Sequence, residues 1–177
     1  MSETRTVRIC VNGVTAQHVI EPRQHLVDFL RENLELTGSH LGCEHGVCGA
    51  CTVRLDGHIV RGCLVLAVQA DGKRVDTIEG LTEAGTLREL QDAFVRHNAL
   101  QCGFCTAGML LAAAEFIEQE PEGDRQAARL AISGNYCRCT GYQAIVEAIC
   151  DVLQARRSAR GGAQPGAQTG TQDGVPA

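Results

Sequence analysis

The chain has 177 residues, 44% of them hydrophobic and none tryptophan, which is enough apolar material for one modest core or two small ones. Its formal net charge is −5 and no stretch gathers Lys and Arg into a basic stripe, so nucleic acid is excluded as the partner and a protein or a cofactor is favoured. No apolar run is long enough to span a bilayer, and the opening "MSETRTVRICVNG" has neither an apolar signal core nor a twin arginine, so a cytoplasmic location is expected.

The first stretch, "TVRICVNGVTAQHVI", alternates Val7, Ile9 and Val11, reaches Asn12-Gly13 and resumes with β-branched residues. Asn-Gly suits the two-residue turn in which both central residues have positive φ, so a β-hairpin is predicted. "HLVDFLRENL" places Leu26, Phe29, Leu30 and Leu34 on one helical face, which predicts a helix packed on the sheet. "TVRLDGHIVRGC" gives a second hairpin at Asp56-Gly57, and "KRVDTIEGL" a last short strand. Residues 5–81 therefore read as a mixed sheet with one helix.

Beyond Gly80 the hydrophobic period changes to that of helices. "TLRELQDAFVRH" carries Leu87, Leu90 and Phe94 behind Thr86-x-x-Glu89, the pattern of a capping box. "TAGMLLAAAEFIEQ", "DRQAARLAI" and "TGYQAIVEAICDVLQARR" are further helical patterns, the last opening on Thr140-x-x-Gln143. These predict a small four-helix domain over 82–160. The tail, 161–177, lacks large apolar residues and is expected to be disordered.

Ten cysteines in a reducing compartment point to metal binding rather than to disulfides, since such bridges are rare there. The first group is Cys43-x4-Cys48-x2-Cys51, followed by Cys63 on the return strand of the second hairpin. This is the plant-type spacing of a 2Fe-2S cluster, whose loop must wrap inorganic sulfide. Gly42, Gly46 and Gly49 fit a loop that needs positive φ and close backbone approach to sulfur. A zinc knuckle usually pairs two short C-x2-C turns, which is not this pattern. His45 lies inside the loop, but a Rieske centre needs two histidines, so it reads as a loop residue or an outer hydrogen-bond donor.

The second group is Cys102-x2-Cys105 with Cys137-x-Cys139, each half just before a helical pattern. Helix N-termini favour an anionic four-thiolate cluster. Spacing alone also suits tetrahedral zinc here, and that alternative stands on these residues. Cys10 and Cys150 sit in apolar-periodic segments and read as small core residues.

With "GCEHGVCGACTVRLDG", "QCGFCTAGM" and "CRCTGY" in that order, the chain resembles, over about residues 5–155, the small iron-sulfur subunit of the molybdenum hydroxylases. This is the family of xanthine dehydrogenase, aldehyde oxidoreductase and carbon monoxide dehydrogenase. Two departures are Ala107, where the family often has Pro, and Gly62, where it often has Ser; neither removes a thiolate. The resemblance implies an α+β chain, with a β-grasp plant-type ferredoxin domain followed by an all-α four-helix 2Fe-2S-binding domain. It implies an electron-transfer subunit that relays electrons from molybdopterin on a large subunit through the helical-domain cluster and then the ferredoxin-domain cluster to FAD on a medium subunit. A dimer of such heterotrimers is the expected assembly.

The family's pterin-contacting residues map to Gln101 and Cys139, Cys139 serving also as a ligand; an ordinary structural hydrogen bond is the alternative for Gln101. The chain has no G-x-G-x-x-G fingerprint and no second large domain, so substrate and flavin sites are expected on partners. N-heterocycles, aldehydes, carbon monoxide and aromatic acyl-CoA compounds are the substrates the resemblance allows. A freestanding ferredoxin-like carrier and a zinc-stabilised interaction module are the competing functions.

Overall fold

The computed structural model describes residues 3–161. All but the first residue of the tail expected to be disordered therefore lies outside the described residues. Strands β1 (Arg5–Val11) and β2 (Val14–Ile20) form the predicted hairpin, with Asn12 at φ 50° and Gly13 at φ 83°. β3 (Thr52–Leu55) and β4 (His58–Arg61) form the second, with Asp56 at φ 49° and Gly57 at φ 88°. Both turns use the positive φ pair that matches strand twist. β5 (Arg74–Asp76) joins the hairpins, running parallel to β1 and antiparallel to β3, so the sheet order is β2-β1-β5-β3-β4.

The helix predicted after β2 is shorter than its pattern. α1 spans Leu26–Asp28 and widens into a π turn over Phe29–Asn33. Glu35, at φ 58°, ends it, and the Leu36 N–H donates to the Leu30 carbonyl at 2.9 Å. Leu26, Phe29 and Leu30 are fully buried against Ile9, Val53 and Val75, which makes this the core of the sheet region.

Among the described residues, the four predicted helices follow, preceded by one short helix that was not predicted. The last predicted strand stops at Asp76, and its remaining residues form α2 (Ile78–Glu83), which crosses the expected boundary at 81/82. Asn12 holds this junction, donating to Thr77 Oγ1 at 3.0 Å and accepting from the Thr77 N–H at 2.8 Å. The four predicted helices are α3 (Arg88–Arg96), α4 (Thr106–Gln119), α5 (Arg125–Ala131) and α6 (Gln143–Gly161). Neither predicted capping box forms. α3 begins at Arg88 without a side-chain cap, and Glu89 instead pairs with Arg156 on α6 at 2.8 Å. Thr140 turns its hydroxyl to a cysteine sulfur, described below. Asp124 does cap α5, accepting from the Ala127 N–H at 2.8 Å.

α4 is buried along most of its length and packs on α3, α5 and α6 on one side and on β3 and β4 on the other. Its carboxylates reach the sheet. Glu115 accepts from the Ile59 N–H on edge strand β4 at 2.9 Å, which blunts that edge. Glu118 takes Arg54 Nη2 with both oxygens at 2.9 Å. The Arg54 side chain is only 10% exposed, so its charge depends on this partner, whereas the Arg125–Glu147 pair is open to solvent on both sides. Glu118→Ala should destabilise the chain by about 1–3 kcal/mol, the cost of a buried charged donor left unpaired. Glu147→Ala should cost less than about 1 kcal/mol. Thermal melting of the two variants beside the parent checks the ranking.

Candidate iron-sulfur site

The first cysteine loop is tied down before it reaches its thiols. Arg31 donates to the carbonyls of Thr37 and Ser39 at 2.7 Å each, and the His40 N–H donates to the Ala50 carbonyl at 3.1 Å, closing the loop around Cys43 and Cys48. Gly46 and Gly49 both have φ 75°, as a loop this tight requires. Gly42 does not; a Cβ there would lie 3.3 Å from Cys48 Sγ, so its need is close approach alone. Glu44, at φ 56°, adopts the left-handed region without being glycine. Cys63 lies just past the end of β4 rather than on it, where the Gly62 N–H donates to the Cys51 carbonyl at 3.0 Å. Gly62 also packs on Val27, where a Cβ would come within 3.1 Å, giving a local reason for glycine.

The loop is furnished for anionic sulfur. The backbone N–H groups of His45 and Cys48 each donate to Cys43 Sγ at 3.4 Å, and with Cys48 contributing most they bring the Cys43 thiol down to about 6. His45 itself bonds the Cys43 carbonyl through Nδ1. Burial acts the other way on Cys51, which is pushed up to about 11. Cys51 and Cys63 are buried beside Val27, while Cys43 and Cys48 are half-buried.

In the second group, Cys105 occupies the position just before α4, without a side-chain cap, and is pushed up to about 12, chiefly by burial. Burial also acts to raise Cys137, but the Thr140 hydroxyl, donating to its sulfur at 3.1 Å, and nearby backbone donors outweigh this and lower it. The Cys137 N–H donates to the Tyr142 hydroxyl at 2.9 Å. Cys102 and Cys139 are exposed, with sulfurs 3.6 Å apart, and their contact raises Cys139. Gln101 is exposed in the loop ahead of α4, and its Nε2 donates to the Cys139 carbonyl at 3.1 Å. The two residues mapped to the pterin are thus neighbours.

Among the described residues, no three His, Cys, Asp or Glu side chains gather around a position suited to one metal ion. The thiols meet two by two: Cys43 with Cys48, Cys51 with Cys63, Cys102 with Cys139, and Cys105 with Cys137. A 2Fe-2S cluster distributes four thiolates over two irons, so paired thiols and sulfur-directed N–H groups fit that group. Cys10 and Cys150 stand apart, on β1 and α6, and burial raises Cys150.

Sequence reasoning missed the residues that join the two loops. The Tyr136 N–H donates to the Cys48 carbonyl at 2.8 Å. Asn135, 1% exposed, donates through Nδ2 to the Gly49 carbonyl at 3.1 Å and accepts Arg61 Nη2 at 3.2 Å. Arg61 also reaches the Gly134 carbonyl at 2.8 Å and Thr52 Oγ1. His40 stacks on Phe104, with ring centroids 4.7 Å apart. Only nearness in sequence to a cysteine marked these residues, and such nearness does not show a long-range contact.

A sheet carrying one cysteine quartet and a helical unit carrying another define an iron-sulfur electron-transfer protein. Residues 9–81 match the family described as 2Fe-2S iron-sulfur cluster binding domain, and residues 77–150 the 2Fe-2S binding domain, the two overlapping at α2. The chain is 51% identical over 150 residues to the nicotine 6-hydroxylase small subunit of Paenarthrobacter nicotinovorans, covering 85% of this chain and 90% of that protein. It is 54% identical over 147 residues to the 6-hydroxypseudooxynicotine dehydrogenase complex subunit beta of the same organism, covering 82% and 92%. The crystal structure of quinoline 2-oxidoreductase from Pseudomonas putida 86 superposes with a TM-score of 0.80 at 49% identity, over 89% of this chain and 98% of that one. The chain belongs to the family of small iron-sulfur subunits of the molybdenum hydroxylases. It is an electron-transfer subunit of a multi-subunit oxidoreductase, and among its described residues no helix is long and apolar enough to cross a membrane.

Gly103, at φ 84°, has open space where a Cβ would stand, whereas a Cβ at Gly49 would lie 2.6 Å from the Asn135 amide and 2.7 Å from the Gly134 carbonyl. Gly103→Ala should cost about 1–2 kcal/mol for the left-handed backbone alone. Gly49→Ala adds overpacking and should cost roughly 2–5 kcal/mol. Melting of the iron-loaded variants, followed by visible absorption, separates them.

Proposed function

We propose that Cys43, Cys48, Cys51 and Cys63 hold one 2Fe-2S cluster and Cys102, Cys105, Cys137 and Cys139 the other, in domains 5–81 and 82–160. The observation that carries this reading is the pairing of the thiols, which supplies two thiolates for each iron of each cluster. When bound, the clusters supply one-electron oxidation and reduction. The chain's own residues position and solvate the thiolates: Cys48 and His45 N–H groups at Cys43, and the Thr140 hydroxyl at Cys137. Metal analysis of the intact chain should return about four irons, two per cluster. Stoichiometric zinc with little iron would overturn the reading.

Gln101 and Cys139 face the large, molybdopterin-binding subunit in this proposal, and the first cysteine loop faces the medium, FAD-binding one. Exposure of both residues and the hydrogen bond between them support the assignment. Gln101 donates to Cys139 with its amide nitrogen, and its amide oxygen has no partner among the described residues, so it can accept from a pterin N–H. The whole enzyme is proposed to be a cytoplasmic dimer of heterotrimers. Its proposed substrate is an N-heteroaromatic compound, because relatives matched over most of their length are named for nicotine and quinoline.

Gln101→Ala should leave both cluster spectra intact and weaken molybdenum cofactor retention, since an unpaired buried polar group costs about 1–3 kcal/mol. Full cofactor content together with unchanged reduction of the helical-domain cluster by substrate would return Gln101 to an ordinary structural role. Anaerobic addition of quinoline or nicotine to the purified complex should bleach cluster absorption. Bleaching by aldehydes alone would remove the N-heteroaromatic assignment.

A further inference from the structure

We infer that Thr52, Arg61 and Asn135 are positioning residues for electron passage between the two clusters, holding the loops so that one hydrogen bond, from the Tyr136 N–H to the Cys48 carbonyl, links a thiolate of each cluster. The inference rests on the ligand sets proposed above. Cys48 belongs to the first set, and Tyr136 is bonded covalently to Cys137 of the second. The 2.8 Å hydrogen bond therefore closes a path made otherwise of the covalent bonds of Cys48, Tyr136 and Cys137.

A backbone contact between two loops of different domains does not hold itself in register. Around it lies a network of side chains spent on this one junction. The Gly49 carbonyl, next to Cys48, accepts from the Thr52 N–H at 3.2 Å, the Thr52 hydroxyl at 2.6 Å and Asn135 Nδ2 at 3.1 Å. Arg61 spans the junction, with Nη1 on Thr52 Oγ1 and Nη2 on the Gly134 carbonyl at 2.8 Å and Asn135 Oδ1 at 3.2 Å. Thr52 and Asn135 are both almost fully buried. A planar fork is what this geometry asks for, because it bonds two elements at once in fixed directions.

The step is a single-electron transfer. With the clusters held by the two proposed cysteine sets, the Cys102, Cys105, Cys137 and Cys139 set would pass on one electron, supplied by substrate oxidation on the partner, and the Cys43, Cys48, Cys51 and Cys63 set would receive it, so that oxidation and reduction balance. No bond breaks, and the proton of the bridging hydrogen bond stays on the Tyr136 nitrogen. None of the three positioning residues belongs to either proposed ligand set. Their role is to keep the hydrogen bond made, and without it the path crosses an open gap.

The test uses the whole complex with Thr52→Val, Thr52→Ser or Asn135→Asp. Valine keeps the volume of threonine and loses the hydroxyl, serine keeps the hydroxyl, and an ionised aspartate sets an acceptor against the Gly49 carbonyl where the amide donated. Iron content and the two cluster spectra are read first. With both clusters reduced, the magnetic interaction between them is measured by low-temperature paramagnetic resonance, and rapid freezing after substrate addition gives the order and rate of their reduction. Thr52→Val and Asn135→Asp should keep both cluster signals and normal reduction of the helical-domain cluster. They should weaken or lose the magnetic splitting and delay reduction of the second cluster, while Thr52→Ser keeps both properties. Unchanged splitting and timing in Thr52→Val would overturn the inference. If Asn135→Asp loses a cluster, the valine and serine pair decides alone. Absence of iron from the unaltered chain would instead sink the ligand reading beneath it.

Discussion

The buried carbonyl of Gly49 is the point on which the arrangement turns. It accepts from the backbone and hydroxyl of Thr52 and from the amide of Asn135, so one acceptor belongs to both cysteine loops. Loops made of cysteine, glycine and small polar residues have little apolar surface to bury and cannot be fixed by a core of their own. Hydrogen bonds to buried groups take that role, and they demand geometry, because each such group left unpaired costs about 1–3 kcal/mol. The glycine at 49 follows from the same constraint: its φ is positive and a side chain would collide with Asn135 and Gly134.

The thiols within each group differ in how readily they ionise. Cys43 is brought down by N–H donors while Cys51 is pushed up by burial; Cys137 is lowered by Thr140 and its neighbours while Cys105 is raised, again chiefly by burial. Each group thus contains one thiol whose ionisation its hydrogen-bond donors favour and one whose ionisation burial opposes.

α4 gives the chain its mechanical unity. It starts at Cys105, forms the centre of the helical core, and extends Glu115 and Glu118 to the sheet, so a displacement of the helix moves a thiol and two interdomain anchors together. The sheet core and the helical core are separate clusters of apolar residues. Ile59 of β4 packs on the helical core, and hydrogen bonds from Arg54 and Ile59 to α4 carboxylates fix the junction's geometry.

Much of this was legible in the sequence because it depends on local geometry. Asn12-Gly13 and Asp56-Gly57 specified their turns through positive φ, hydrophobic periodicity specified α3 to α6, and cysteine spacing pointed to a cluster loop. Local signals failed where a distant partner competed. Glu89 left its capping box for Arg156 on α6, and the end of the last predicted strand became α2 with Thr77 held by Asn12. Cysteine spacing nominated eight thiols without saying which would meet. The pairing of Cys102 with Cys139 and Cys105 with Cys137, and the choice of Arg61 and Asn135 to join the loops, belong to tertiary structure alone. Turns and helices are settled by neighbours a few residues away, whereas a hydrogen bond such as Asn135 to Gly49 joins residues 86 apart in the chain and exists only once the two loops meet.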